Sequence, residues 1–598
     1  FQMTVGDVSQ SVEVTAEVPL LNTENASRGE VVVTQEIMEM PLEGRDFNDL
    51  TFMVPGVARK AQGGSGSALN INGARSDNTN FLIDGFANNN VRGGGAQARP
   101  PIDALQEYKL QTNGYPAEYG RRAGGVMSMV LKSGTNQFHG TLFEFLRDDV
   151  FDARNFFDAE KSQLRRNQFG GTLHGPLMLP RLYNGRNRTF FLGSWESYRQ
   201  TQGVNRLGRV PTELERAGDF SQTPETAGTG KIVSLKDPLG NAALPGNLIP
   251  ASRVHAVSRN VLPFYPAPNL PAQVNNFRAN RADTDHWDSF LGKIDHRLTG
   301  KDNLSGRYMR RNNNQGNPFG GSDTGLFGNR TPETLSLGGV TWTRLWSPAL
   351  IHELRLGFAR QVQNARSVQY GTDWNAQLGL PSPGNPEAYG FPRITVRDLV
   401  AIGNASEQPM KFTTSDLELG GALTLVRDRH IWKFGGDGIQ MQFYQPSRNN
   451  MRGTFNFLGR WTNDPFADFL LGYLNNATRK ASGADPQLIS WMGGLFAQDD
   501  WRASRSLTLN LGLRYEVNLP MYDRRDRLAN FVPEYGKIVI ADRKSLPDMD
   551  QVIQQAGLAE KVGYASDYGL PRSLAVANRK MLAPRFGFAW RPWATNRM

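Results

Sequence analysis

The side chains best suited to chemistry are sparse and irregularly placed. Seven histidines, at 139, 174, 255, 286, 296, 352 and 430, include no pair three to five residues apart, the spacing by which a helix or finger offers two imidazoles to one zinc ion. Asp283, Asp285 and Asp288 form an acidic cluster ahead of a strand. The glycine and terminal glutamate of an EF-hand loop are missing there, and a solvated loop accounts for the cluster better than calcium does. No GxxxxGK[ST], no GxSxG and no GxGxxG between strand and helix occurs, and Gly93-Gly94-Gly95 reads as a flexible loop rather than a phosphate cradle. The expectation is a protein that is not an enzyme, with no cofactor and no metal.

The elements that would position any site are mostly strands. From Gln137 onward, runs of alternating polarity are expected at about 137–147, 165–175, 188–202, 286–298, 302–312, 334–346, 350–364, 412–426, 430–445, 487–502, 505–518 and 584–595. Many are longer than the usual five or six residues of soluble sheets. The cleanest, Leu507 to Val517, puts apolar side chains on one face and Thr, Asn, Gly, Arg and Glu on the other. From the third strand on, tight turns such as Thr299-Gly300-Lys301, Ser347-Pro348-Ala349 and Arg427-Asp428-Arg429 alternate with long connections. Long loops on one rim and tight turns on the other are the habit of an outer-membrane barrel. To keep that parity, Met451 to Ala481 must hold an even number of crossings, taken as zero.

Composition is permissive. The 598 residues include no cysteine, 63 glycines and 11 tryptophans, and mean hydropathy is negative. No run approaches the roughly 18 apolar residues of a membrane helix, which fits a soluble protein but also a barrel whose apolar band is hidden by alternation. The net charge of +10 is spread along the chain without a basic, aromatic-interleaved block, so no nucleic acid is expected as partner. Trp287, Trp342, Trp346, Trp432, Trp491, Trp501, Trp590 and Trp593 fall near strand ends. Cross-strand packing or an interfacial girdle would each place them so.

Ahead of the long strands the pattern is mixed. Short helices are expected over Gln35–Met40, capped by Thr34 and stopped by Pro41, and over Phe47–Met53, capped by Asp46. Ala68–Asn72 and Thr79–Asp84 read as a hairpin across Arg75-Ser76-Asp77-Asn78. A helical turn after Pro100-Pro101, a strand at Glu107–Gln111 and a strand ending at Leu131 follow. The phrases PLEGRDFNDLTFMVPGV, INGARSDNTNFLIDGF, IDALQEYKL and YPAEYGRRAGGVMSMVLKSGTNQFHG, in this order, resemble the plug of TonB-dependent outer-membrane receptors, most nearly the Oar-like branch.

That resemblance implies a mainly β fold: a small α/β plug domain inside an incomplete transmembrane antiparallel β-barrel, with 12 of about 22 strands. It divides the chain into 1–21, the end of an upstream β-sandwich or a TonB-box-like segment; 22–135, the plug; and 136–598, the N-terminal part of the barrel with long extracellular loops. Val12, Glu13, Val14, Thr15 and Ala16 resemble the TonB box, which adds as a strand to the coupling protein. Arg75, Asp84, Gly85, Arg121 and Arg122 are the expected hairpin and latch residues, with Glu144 or Glu196 of the wall as partners for the arginines. Ion pairs in a wet lumen are worth about 0–1 kcal/mol each, so several must act together. The implied partners are the inner-membrane TonB complex, outer-membrane lipid and a scarce solute, whether iron chelate, cobalamin, glycan or peptide. The implied location is the outer membrane of a Gram-negative-type bacterium. A non-transporting outer-membrane adhesin or scaffold, and a soluble polymer-binding sandwich array, are the competing readings. With a turn-like tail at Thr595 to Met598, the first and last strands are not expected to pair, which leaves a half-barrel with the plug on its concave side.

Overall fold

The computed structural model describes residues 27–591 apart from 34–42, 47, 53, 60–68, 91–93, 155, 157–160, 226–229, 481–484 and 544–548. The expected helix at 35–40 and the TonB-box-like residues 12–16 lie outside the described residues.

The N-terminal sheet contains β1 (Arg28–Val33), β2 (Asn80–Ile83), β3 (Phe86–Ala87), β4 (Leu105–Asn113) and β5 (Val126–Leu131), in the order β1-β4-β5-β2-β3. Asp46 caps the short helix Asn48–Thr51 by accepting from the Asn48 N–H at 3.0 Å. The hairpin expected between 68–72 and 79–84 does not form. Leu69–Ile71 pairs instead with Val57–Arg59, while β2 runs parallel to β5 in the register Asn80↔Val126. The reason lies in burial: all four residues of β2 are buried, so β2 is an interior strand needing partners on both edges, and β5 occupies the edge the hairpin would have used. The true hairpin is β2–β3, turned by Asp84 and Gly85 at φ 44° and 79°, the left-handed pair a two-residue type I′ turn demands.

Twelve long antiparallel strands follow, at the places alternation marked. They are β6 (His139–Asp148), β7 (Leu164–Pro176), β8 (Thr189–Gly208), β9 (Phe277–Arg297), β10 (Asp302–Asn317), β11 (Asn329–Ser347), β12 (Leu350–Ser367), β13 (Met410–Arg427), β14 (His430–Tyr444), β15 (Gln487–Trp501), β16 (Leu507–Asn518) and β17 (Met581–Trp590). Each pairs with the next in sequence, and Tyr522–Asp523 adds a short piece beside β15. Among the described residues no ladder joins β6 to β17, so the sheet has two edges. One face carries exposed Leu354, Leu356 and Phe358 on β12 and Leu511 and Leu513 on β16. The opposite face, with Glu418, Lys293 and wholly buried Arg514, meets the small domain. This is the inside-out polarity of a membrane barrel.

The long loops are folded. Those at 209–276, 318–328, 368–409 and 445–486 share one core containing Phe220, Tyr265, Phe327, Phe391, Phe466 and Phe469. Met451–Ala481 contributes the strand Thr454–Phe457, the helix Pro465–Leu471 and the strand Asn476–Thr478 to this cap and, among the described residues, no wall strand. Asp464 caps the helix, accepting from the Phe466 and Ala467 N–H groups at 2.8 Å. The His255 N–H donates to the Leu470 carbonyl at 2.8 Å and the Lys236 N–H to that of Thr462 at 3.1 Å, stitching two remote loops together.

Candidate functional site

The small domain touches every wall strand, so the sheet must curl around it. Arg45 lies 4.0 Å from the Phe143 ring of β6 and 4.0 Å from Glu196 of β8, and the Gln168 amide of β7 donates to the Gly44 carbonyl at 3.3 Å. Lys293 of β9 pairs with Asp84 at 3.4 Å and donates to the Leu131 carbonyl at 3.2 Å. Asp84 also accepts from the Leu131 N–H at 2.9 Å, which locks the turn to β5. The next residues fit tightly against the wall. A Cβ on Gly85 would strike the Arg355 guanidinium, and the Phe86 ring beyond it sits under Arg307 (4.7 Å) and against Gly339 and Gly357. Side chains at those two wall glycines would come within 2.7 Å and 2.5 Å of that ring.

The densest contact is built on Tyr115 to Arg122. Arg514 of β16, its side chain fully buried, donates to Glu516 at 2.7 Å, to Asp437 of β14 at 2.7 Å and to the Glu118 carbonyl at 3.2 Å. Arg121 reaches the other Asp437 oxygen at 3.2 Å and Glu418 of β13 at 3.4 Å, while its N–H donates to Glu516 at 2.6 Å. Glu418 in turn accepts from the Ala87 N–H at 2.9 Å. Glu118 pairs with Lys433, the Ala117 N–H donates to Gln498 at 2.8 Å, and Arg585 of β17 donates to the carbonyls of Tyr115 (2.8 Å) and Tyr119 (2.6 Å). Gly120 is required by close approach, since a Cβ there would run into Arg514 and Glu516. Two guanidiniums thus share three carboxylates, and charge-assisted bonds of this kind are roughly twice as strong as neutral ones.

The expected latch residues have different fates. Arg121 enters the network, but through Glu418 and Asp437 rather than Glu144 or Glu196. Glu144 is engaged by Asn167 at 3.4 Å and Glu196 by Gln168 at 2.6 Å and by Arg45. Arg75 is exposed and, among the described residues, pairs locally with Asp77 at 3.5 Å. Arg122 lines a cavity of about 140 Å³ with Asn78, Asn80, Arg307 and Asp416, and burial, aided by neighbouring Arg121, holds its guanidinium below its ordinary pKa. Arg514, Asp437, Glu418, Glu516, Lys433 and Arg585 escaped the sequence reading. Their only local signal is a charge on the polar face of an otherwise apolar alternation, as in Leu511-Gly512-Leu513-Arg514-Tyr515-Glu516.

A curled antiparallel sheet, apolar outside and carrying its buried charges inside, wrapped around a small mixed domain, defines a plugged outer-membrane β-barrel. Residues 130–597 match the family model of the outer membrane beta barrel domain, and residues 23–127 match that of the TonB-dependent receptor plug domain. The chain belongs to the TonB-dependent receptors, a family of receptors and transporters rather than enzymes, placed in the Gram-negative outer membrane. It is similar to the TonB-dependent transporter Oar of Myxococcus xanthus, 28% identical over 201 residues, covering 31% of this chain and 18% of the relative. It is also similar to the probable TonB-dependent siderophore receptor PirA of Acinetobacter baumannii, 29% identical over 184 residues, covering 27% of this chain and 23% of that protein. The chain thus matches less than a quarter of the length of either relative. Among solved structures, the outer membrane transporter YddB from Escherichia coli is 11% identical, with 83% of this chain and 56% of that chain covered and a TM-score of 0.49.

Proposed function

We propose that the protein takes up a scarce solute across the outer membrane, with the inner-membrane TonB complex pulling on the plug through the Val12–Ala16 segment. In this reading 1–21 carries the coupling segment, 22–135 is the stopper and 136–598 is wall and loops. The observation that carries it is the ionic seam at Tyr115–Arg122. A stopper that must yield without dismantling the wall needs contacts that water can replace, and charged groups on a lumen face meet that need better than apolar ones. Arg121, Asp84 and Gly85 are the latch residues of this proposal, and Arg75 and Arg122 contribute through the plug's own turns. The solute class is iron chelate, cobalamin, glycan or peptide.

The test is whole-cell uptake of a labelled ferric siderophore, cyanocobalamin, a maltodextrin and a pentapeptide, with the coupler present or deleted. Coupler-dependent uptake of one of them is the expected result. No dependence for any, with the protein present in the outer membrane, favours the adhesin or scaffold reading. Val14→Pro removes a pairing donor, and an unchanged pulldown by the coupler's periplasmic domain would sink the coupling segment.

A further inference from the structure

One turn breaks the rule of its rim. The connections β9–β10, β11–β12, β13–β14 and β15–β16 are tight, whereas β7–β8 is a hairpin of residues 177–188 with its own ladder, Met178↔Asn184 and Leu179↔Tyr183. It is held rigidly at its base. The Leu177 N–H donates to the Thr189 carbonyl and the Gly185 N–H to that of Leu177, each at 2.9 Å. The Asn187 N–H donates to the Asn136 side chain at 2.7 Å, and the Arg297 N–H to the Arg188 carbonyl at 2.8 Å.

Its tip is apolar and uncovered. Leu182 is 85% exposed, and Met178 and Leu179 are exposed with it. The run Leu-Met-Leu-Pro-Arg-Leu-Tyr-Asn-Gly-Arg-Asn-Arg contains no acid, and among the described residues no ion pair involves Arg181, Arg186 or Arg188. The hairpin also continues the lipid-facing surface: exposed Phe138 packs beside Phe191 at 6.3 Å, with exposed Leu173 on the neighbouring strand. Apolar side chains flanked by guanidiniums at the foot of a lipid-facing wall match a layer of anionic headgroups over acyl chains. A soluble acidic partner would use the arginines but leave the leucines without a role.

We propose that the 177–188 hairpin is a lipid-binding foot. Met178, Leu179 and Leu182 enter the inner-leaflet interface, and Arg181, Arg186 and Arg188 hold the phosphates of anionic phospholipid. The inference rests on the outer-membrane placement of the wall. Because the chain has no cysteine, single nitroxides can be placed cleanly at Leu182→Cys and, as a wall control, at Leu356→Cys. The full chain is reconstituted in phosphatidylcholine vesicles with and without phosphatidylglycerol, and relaxation by oxygen is compared with that by a water-soluble nickel chelate.

The expected result is oxygen-dominated relaxation at both sites, deepening at 182 when phosphatidylglycerol is present. In native mass spectra, R181Q/R186Q/R188Q should retain phosphatidylglycerol about tenfold less well than the parent. Nickel access at 182 with oxygen access at 356 would overturn the foot and leave the membrane reading standing. Nickel access at both would overturn the two together. Protection of 182 that arises only on adding a soluble periplasmic protein would show a protein-docking hairpin and overturn the lipid assignment.

Discussion

The two flanks of the plug are held by different proportions of the same chemistry, mostly apolar packing beside the Lys293–Asp84 and Arg45–Glu196 pairs on one and mostly charged contacts on the other. Toward β8–β12 the wall contributes Leu192, Leu291, Met309, Leu335, Leu337 and Ala359 to the same core as Phe81, Tyr108 and Met127 of the plug. Toward β13–β17 it offers Glu418, Lys433, Asp437, Arg514, Glu516 and Arg585. The first flank loses hydrophobic stabilisation with every square ångström parted, whereas the second can exchange its partners for water. If the plug yields to a pull as proposed, this asymmetry predicts that it parts first along the charged flank.

The strongest way to break this contrast is Arg514→Ala, which leaves Asp437 and Glu516 in the buried seam with Arg121 as their remaining cationic partner among the described residues. The expected cost is about 3–5 kcal/mol, seen as a lowered Tm and as proteolysis near Tyr115–Arg122. Early cleavage near Phe81–Phe86 instead would reverse the assignment of the flanks. Leu337→Ala should cost about 2–4 kcal/mol through the cavity it leaves. Its penalty should be the same at low and high salt, because no charge is involved.

The cap offers a different chemistry, in which a buried carboxyl works against the fold at neutral pH. Burial pushes Asp464 up to about 6, so the folded state takes up a proton more readily than the unfolded chain. Cap stability therefore rises as pH falls through about 6 and is lost as pH rises through it, over about 1–3 kcal/mol. Hydrogen exchange in Phe466–Leu471 at pH 5 and pH 8 measures this, and Asp464→Asn should flatten the difference. The smallest effect is that of Arg121→Gln, about 1–2 kcal/mol, since its backbone bond to Glu516 survives. If solute leak through the mutant barrel does not increase, the charged flank is not the one that opens.

Strand positions were legible because lipid on one side and lumen on the other impose a local, period-two signal on each strand. Even Arg514 stood on the polar face of its strand, but nothing local told that the plug would meet it there. Arg121 was singled out, yet its partners lie on strands nearly 300 residues or more away, in a register fixed only once the wall curls. The misplaced hairpin at 68–84 has the same origin. Its alternation and turn residues were real, but Asn80–Ile83 is buried on both faces and pairs with a later strand. The loops carried no motif because a hydrophobic core assembled from four separate segments has no period in any one of them.

That shared loop core bears on how binding specificity could be altered. Phe220, Tyr265, Phe327, Phe391 and Phe466 come from four connections yet pack as one body, so no single connection is a module. A loop transplanted alone from a relative would arrive without the aromatic partners its own side chains fit, and the recipient's remaining rings would face a void. Exchange of recognition between such receptors would therefore succeed by moving the four connections as a set, and selection acting on one of them constrains the other three.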